Sequence, residues 1–157
     1  MRWIFACAAV AITGASLLAF DGSPTEAAVV SVGGGFGPPF GGFTCGDVAG
    51  GNIASGTKVQ AWDCLAGPNQ QFEFYGQTLY TLGGQRCLDV VGAGTAPGTD
   101  VWSYACNGTV AQQWTYDNGQ IRYPHGGLCL DAGSMGNGTQ LIVNTCNGSN
   151  SQSWQIK

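Results

Sequence analysis

Few residues of this chain could do chemistry, and the aspartates and cysteines among them recur at fixed intervals. The 157 residues include nine Asp and Glu, five Lys and Arg, seven Cys and one His. A Cys-x-Asp motif occurs three times, with 42 residues between successive copies, and its carboxylates are Asp47, Asp89 and Asp131. A carboxylate at a surface can accept hydrogen bonds from hydroxyl groups or act as a general acid or base.

Catalytic and metal chemistry find little support in these residues. Glycoside hydrolysis needs two carboxylates about 5–10 Å apart, whereas three equivalent aspartates of a repeated chain should lie on separate lobes. A Ser–His–Asp triad would have to use His125, and no serine carries a nucleophile signature. No Cys-x-x-Cys pair is present to hold zinc. We therefore expect no enzymatic activity, no metal and no cofactor.

An internal repeat of about 40 residues extends this pattern to the end of the chain. Each unit begins with Cys-x-Asp, continues to a second cysteine and ends in Gln-x-Trp or Gln-x-Phe. The second cysteines, the glutamines and the closing aromatic residues are Cys64, Cys106 and Cys146; Gln70, Gln112 and Gln152; and Phe72, Trp114 and Trp154. Successive copies are 42 and 40 residues apart. Chance does not produce such a register.

The composition within the repeats indicates short strands joined by turns. Twenty-seven glycines argue against an all-helical fold, because Gly costs roughly 1 kcal/mol relative to Ala inside a helix. Asn-Gly pairs, a strong turn signal, separate the β-rich stretches. These stretches include Lys58–Trp62, Phe72–Tyr75, Thr78–Leu82 and Gln140–Val143. Evenly spaced short strands predict a closed or nearly closed all-β fold, which leaves few exposed edges.

The beginning of the chain differs from the rest. Arg2 precedes an apolar run from Trp3 to Phe20, and small residues follow, which is typical of a secretory signal peptide. A membrane anchor is the alternative, because the run of about 18 residues approaches the length that spans a bilayer. We predict a signal peptide over 1–28, a Gly/Pro-rich linker over 29–40 and one domain over 41–157. With so few basic residues, nucleic acid is not an expected partner.

If the protein is secreted, the six cysteines that follow the signal peptide in the chain should be oxidised to disulfides. An even number of cysteines in a small secreted chain predicts three disulfides. Pairing within repeats is the simplest connectivity, although spacing alone leaves pairing between repeats open. The expected bridges are Cys45–Cys64, Cys87–Cys106 and Cys129–Cys146.

The three repeats, with their Cys-x-Asp and Gln-x-Trp frame, resemble the ricin B-type lectin domain. That resemblance covers about residues 41–157 and implies a β-trefoil of three related units that binds sugars. It also implies that Phe72, Trp114 and Trp154 pack in the core. The sugar is left open, because the family includes galactose-binding lectins and xylan-binding modules.

The resemblance implies a complete sugar site in the first repeat. Asp47 would accept hydrogen bonds from sugar hydroxyls, Trp62 would stack on the apolar face of the ring, and Asn69 would donate to a hydroxyl. Gln60 and Gln70 would orient Asp47 or touch the rim of the site. We expect Asp47 to lie at the surface, so that its replacement by alanine would leave the fold intact.

The other two repeats keep only part of this set. The second has Asp89, Tyr104 in the stacking place and Gln112, but Trp102 replaces the first glutamine and Ala111 the asparagine. Its ability to bind sugar is left open.

The third repeat has no aromatic residue in the stacking position, where Asn144 stands. We expect no sugar there, and expect Asp131 to serve a turn instead.

These observations predict a secreted carbohydrate-binding protein that recognises galactose-type or xylan-type glycans mainly through its first repeat. The alternative is a β-trefoil that binds proteins through its loops, as an inhibitor or toxin does. Retention of the Asp47, Trp62 and Asn69 set favours the sugar-binding hypothesis.

Overall fold

The computed structural model describes residues 30–32 and 44–156, and in these residues it is built of thirteen short strands joined by turns. The predicted signal peptide lies outside the described residues. The strands are β1 (Val30–Val32), β2 (Thr44–Val48), β3 (Thr57–Asp63), β4 (Phe72–Tyr75), β5 (Thr78–Thr81), β6 (Arg86–Val90), β7 (Thr99–Tyr104), β8 (Thr115–Asp117), β9 (Gln120–Tyr123), β10 (Leu128–Asp131), β11 (Thr139–Gln140), β12 (Ile142–Thr145) and β13 (Trp154–Ile156). Short 3-10 turns are the helical segments of the described chain, and none is long or apolar enough to cross a membrane.

Each repeat contributes four strand positions, and the units follow one another around a pseudo-threefold axis. The first repeat supplies β2–β5 and the second β6–β9. The third supplies β10, the interrupted strand β11–β12, and β13. Within each unit the first strand pairs with the second, and in the first two units the third strand pairs with the fourth. This arrangement is the β-trefoil that the sequence predicts.

The missing fourth strand of the last unit comes from the beginning of the chain. Strand β1 pairs antiparallel with β13 and with β2, as β5 pairs with β4 and β6. The prediction of a linker over 29–40 is therefore wrong for Val30–Val32, which close the ring of repeats. The Val-Ser-Val stretch has the alternation of a strand, but it lies outside the repeated frame that guided the prediction.

Around the axis, the second strands of the three units pair with one another in a cycle. Strand β3 pairs with β7, β7 with β12, and β11 with β3. The backbone N–H of Val101 donates to the carbonyl of Leu141 at 3.0 Å, and that of Leu141 donates to the carbonyl of Val59 at 2.9 Å. Because successive side chains of a strand point to opposite faces, these strands send some side chains into the shared core and others toward the surface.

One residue interrupts the threefold symmetry at the axis. The amide Nε2 of Gln140 donates to the carbonyl oxygens of Val59, Val101 and Leu141 at 3.2, 2.7 and 2.7 Å. Lys58 and Asp100 stand at the equivalent positions of the other repeats. A single carboxamide nitrogen, which carries two protons, thus shares them among carbonyl oxygens from all three units.

The closing aromatic residues of the repeats pack in the core, as predicted. Phe72, Trp114 and Trp154 have at most 3% of their surface exposed. The indole N–H groups of Trp114 and Trp154 each donate to a backbone carbonyl at 2.9 Å, those of Leu88 and Leu130. Each tryptophan therefore contributes apolar burial without leaving its N–H unsatisfied.

The disulfides join the first strand of each repeat to the end of its second strand. The bonds are Cys45–Cys64, Cys87–Cys106 and Cys129–Cys146. The predicted pairing within repeats is confirmed.

Candidate functional site

The β2–β3 hairpin brings the first-repeat residues together on one face. Asp47 lies opposite Gln60 across the ladder, and Cys45 lies opposite Trp62. Side chains opposite each other in an antiparallel pair project to the same face, as do residues two apart on a strand. The Trp62 ring is therefore a diagonal neighbour of the Asp47 carboxylate, and 36% of its surface is exposed.

A short 3-10 turn, Pro68–Gln70, supplies the remaining amides. Asn69 Nδ2 donates to Asp47 Oδ2 at 2.5 Å, and Gln70 Nε2 donates to the same oxygen at 3.0 Å. Gln60 Nε2 donates to Asp47 Oδ1 at 3.2 Å. Proline at the start of the turn is favourable, because that position needs no N–H partner and suits the fixed proline φ.

Asp47 is buried rather than at the surface. Only 3% of its surface is exposed, so the expectation of a surface carboxylate is wrong. Burial is tolerated because three amide donors surround the charge. A carboxylate has about four acceptor positions, so one remains on Oδ1, which accepts a single hydrogen bond from a protein side chain. Asn69 likewise keeps a second Nδ2 proton.

Gln70 organises the cradle from within. It has no exposed surface, and its Nε2 also donates to the Asp63 carbonyl at 2.9 Å. Its Oε1 accepts the backbone N–H groups of Leu65 and Ala66 at 2.7 and 3.2 Å. Of the two roles predicted for Gln70, orienting Asp47 fits this burial, whereas touching the rim does not.

The second repeat has the same framework with a different surface. Gln112 is 1% exposed, donates to Asp89 Oδ2 at 2.9 Å, and so positions that carboxylate as Gln70 positions Asp47. The indole N–H of Trp102 donates to Asp89 Oδ1 at 2.6 Å. Trp102 also stacks on Tyr104, with ring centroids 5.3 Å apart and planes inclined by 25°. One face of the Tyr104 ring is therefore covered by protein.

The third repeat uses its aspartate to hold a turn, as predicted. Asp131 Oδ1 accepts the backbone N–H of Gly133 at 2.8 Å, and Oδ2 accepts Gln152 Nε2 at 2.9 Å and Asn144 Nδ2 at 3.2 Å. Burial raises the pKa of Asp131, but hydrogen bonds from Gln152, Gly133, Ser151 and Asn144 outweigh it, so the pKa is lowered.

A contact missed at the sequence level joins the first-repeat site to the third repeat. The turn before β11 contains Asn137 and Gly138, and Asn137 exchanges two hydrogen bonds with Asp63, the residue after Trp62. The sequence signal that could have pointed to this turn is its repeated position, since Ser55, Pro97 and Asn137 occupy equivalent positions in the three repeats.

No three His, Cys, Asp or Glu side chains in the described part of the chain are placed to hold a metal ion.

Comparison with known proteins shows the family to which the chain belongs. The model of the ricin-type β-trefoil lectin domain matches residues 42–154, and the chain belongs to that family. Carbohydrate binding is the general function that this membership supports. No curated protein matches the chain in sequence.

Solved structures with the same fold include two plant proteins. The agglutinin from Abrus precatorius is 30% identical with a TM-score of 0.67, and the match covers 81% of this chain and 47% of the agglutinin. A non-toxic homologue of type II RIPs from Momordica charantia, in complex with α-methyl-D-galactoside, is 25% identical with a TM-score of 0.68, with coverages of 82% and 46%. This chain thus spans about half the length of each.

A third similar structure has a fully symmetric design. The designed threefold-symmetric protein ThreeFoil is 25% identical with a TM-score of 0.64, and the match covers 72% of this chain and 89% of that one. The likeness agrees with the pseudo-threefold arrangement of the four-stranded units.

Proposed function

We propose that this protein is a secreted lectin that binds galactose-type glycans mainly through the cradle of its first repeat. The observation that carries the proposal is the exposed Trp62 ring beside a buried, amide-held Asp47 carboxylate with a free acceptor position. The complex of the Momordica charantia homologue with a galactoside supports this class of sugar. Xylan-type glycans are the alternative ligand.

The cradle matches the two kinds of surface on a pyranose. The C–H face of the sugar would lie on Trp62, which gives apolar contact without burying a hydroxyl. A hydroxyl at the edge of the ring would donate to Asp47 Oδ1, and the second Nδ2 proton of Asn69 would donate to a neighbouring oxygen. Because Gln60 and Gln70 hold the carboxylate before the sugar arrives, little side-chain ordering remains to be done on binding.

The second repeat is proposed as a weaker site. Asp89 and Tyr104 keep the acid and the ring, but Trp102 takes one acceptor position and covers one ring face. A ligand would have to use the other face of Tyr104, without the amide that Asn69 provides in the first repeat. With one strong cradle, affinity for a single sugar should be near millimolar, about −4 kcal/mol.

We propose binding without catalysis, and the placement of the three aspartates supports it. Each of the three equivalent aspartates accepts amide donors from its own repeat, and each belongs to a different lobe. Paired carboxylates across a glycosidic bond are therefore not provided by these residues. Three disulfides suit an oxidising, extracellular compartment.

Calorimetric titration of Trp62→Ala tests the proposal. Galactose, lactose and xylo-oligosaccharides are titrated into the protein and the variant, with Tyr75→Ala as control because Tyr75 is an aromatic residue on β4 with 78% exposure. We expect Trp62→Ala to weaken galactoside binding at least tenfold and Tyr75→Ala to leave it unchanged. If none of these sugars gives saturable binding or thermal stabilisation, a protein-binding β-trefoil becomes the better interpretation.

A further inference from the structure

We propose that Asn137, in the turn before β11 of the third repeat, is a positioning residue for the Trp62 ring in the first-repeat site. The inference rests on the proposed sugar-binding function and adds a residue from another repeat to it. The third repeat would then contribute to binding without holding a sugar itself.

The contact is a reciprocal pair of hydrogen bonds at the residue after Trp62. The backbone N–H of Asp63 donates to Asn137 Oδ1 at 2.8 Å, and Asn137 Nδ2 donates to Asp63 Oδ2 at 2.8 Å. These two residues are 74 positions apart in the chain. Such a bidentate pair fixes the direction of the strand end as well as its distance.

The neighbouring Gly138 fixes the other side of Trp62. Its backbone N–H donates to the carbonyl of Ala61 at 2.9 Å, and its own carbonyl accepts Lys58 Nζ at 2.6 Å. A Cβ built on Gly138 would lie 3.9 Å from Trp62 Cζ3, so the turn approaches the indole ring itself. The φ of Gly138 is +85°, a conformation that favours glycine. Trp62 therefore lies between Ala61 and Asp63, which the turn containing Asn137 and Gly138 holds through hydrogen bonds.

The corresponding contacts in the other repeats support a role tied to the aromatic ring. In the second repeat, the backbone N–H of Ala105, next to Tyr104, donates to Ser55 Oγ at 3.0 Å. The turn that docks on the third repeat comes from the second repeat, and there Pro97 stands at the position equivalent to Asn137 and offers no side-chain acceptor. In the third repeat the N–H of Thr145 donates to Asn144 Oδ1 at 2.9 Å, within its own strand. A side chain from the neighbouring repeat thus accepts the backbone N–H next to Trp62 and next to Tyr104, whereas in the third repeat Asn144 itself accepts the corresponding N–H.

Holding the ring in advance should strengthen sugar binding. An exposed tryptophan that moves between rotamers must be ordered when a sugar stacks on it, and that ordering weakens the complex. Removing Asn137 would free the strand end at Asp63 while leaving the ring and the carboxylate in place. The expected result is a roughly three- to tenfold loss of affinity, the range for one lost hydrogen-bonded contact.

The experiment measures the ring and the affinity separately. The order parameter of the Trp62 indole N–H is measured by NMR in the ligand-free protein, with the signal assigned by its disappearance in Trp62→Phe. The variants are Asn137→Ala and Ser55→Ala, the second being the matched control at the same place in the first repeat. Affinity for lactose is titrated for each variant.

A paired exchange provides the rescue. Asn137→Asp alone places two carboxylates against each other, whereas Asn137→Asp combined with Asp63→Asn restores the side-chain hydrogen bond with donor and acceptor exchanged and keeps an acceptor for the backbone N–H of residue 63. We expect Asn137→Ala and Asn137→Asp to lower the order parameter of the Trp62 indole and to weaken lactose binding. The combined exchange should recover both, and Ser55→Ala, at a residue that contacts the second repeat instead, should leave the order parameter of the Trp62 indole unchanged.

Two results would overturn the positioning role: an unchanged Trp62 order parameter in Asn137→Ala, or a lowered one with unchanged affinity. If the parent protein binds no sugar, the proposed function fails, while the ring measurement still decides whether Asn137 positions Trp62. The ring measurement distinguishes the cases, since it reports on the Asn137 contact without any ligand.

Discussion

Among the described residues, Tyr123 carries the one buried side-chain polar atom that has no hydrogen-bond partner. The equivalent residue of the first repeat, Thr81, pairs its hydroxyl with Ser103 at 2.9 Å. Val143 stands at the place of Ser103 in the next repeat and offers no polar atom. Burial, and then the negative charge of Asp89, raise the pKa of Tyr123, so its phenol stays neutral.

Removing this hydroxyl should stabilise the protein. We expect Tyr123→Phe to raise the free energy of unfolding by about 1 kcal/mol, because a desolvated group without a partner is lost. Urea unfolding measures the change, with Tyr75→Phe as the exposed control. A decrease in stability would mean that the hydroxyl makes a favourable contact, such as one to a buried water molecule.

Asp131 should make stability depend on pH in the acid range. Its pKa is lowered in the folded protein, so the folded state binds the proton less readily than the unfolded state. The stabilisation is therefore present above the unfolded value of about 4 and is lost as the pH falls through the lower folded value.

Urea unfolding between pH 2 and 7 tests this dependence. Asp131→Asn should be less stable than the parent protein at pH 7, and the difference should shrink as the pH falls below about 4. Asp117→Asn, which removes an exposed carboxylate from β8, is the charge-matched control. A difference that stays constant down to pH 2 would contradict the prediction.

At the scale of elements, β1 is the strand that closes the sheet between the first and the last repeat. It fills the gap between β13 and β2, so the first and last described strands lie side by side. Without it, two neighbouring strands would expose unpaired backbone groups, which favours association with other chains.

A proline in β1 tests this role without reference to its side chains. Ser31 lies opposite both Gln155 and Cys45, so Ser31→Pro should disturb the ladder and lower the unfolding free energy by about 2 kcal/mol. Val110→Pro is the control, because Pro68 already occupies the equivalent place at the start of a 3-10 turn. Equal thermal melting of Ser31→Pro and the parent protein would show that β1 contributes nothing to stability.

The elements inside the repeats could be predicted from the sequence, because their pattern occurs three times. The strand containing Lys58–Trp62, the core positions of Trp114 and Trp154 and the disulfides follow from the shared register. Strand β1 could not be predicted in this way, since it has no copy in the frame. The three donors to Asp47 were named from the motif, but its burial was missed because the motif does not record how closely β3 and the Pro68–Gln70 turn pack around the carboxylate.

Contacts between repeats are the other part that the sequence left open. Asn137 meets Asp63 only because the three units close around an axis, and no local pattern records how one unit's turn docks on the next. The fold was therefore more predictable than the surroundings of the site.

At the scale of the molecule, the disulfides stabilise each repeat separately. They close loops with sequence separations of 19, 19 and 17 residues. Each bridge is worth roughly 3 kcal/mol in the chain-entropy model, and a whole domain has only about 5–15 kcal/mol.

Reduction should therefore unfold the protein. With all three bridges reduced, we expect the β-sheet signal in circular dichroism to be lost at a much lower temperature than in the oxidised protein. Melting curves with and without reductant, with free thiols counted, test this. An unchanged melting temperature after complete reduction would mean that the disulfides do not contribute to stability and that the shared core is sufficient.

Gln140 has a consequence for any attempt to make this chain perfectly regular. Its one carboxamide serves three carbonyl groups at the axis, and three copies could not occupy that point together. In a sequence written identically three times, the axis would lack this single shared carboxamide, and the carbonyl groups of Val59 and Leu141 would keep only the backbone N–H partners that they already have. Divergence among the repeats thus adds an interaction at the centre that a fully regular version of this protein would lose.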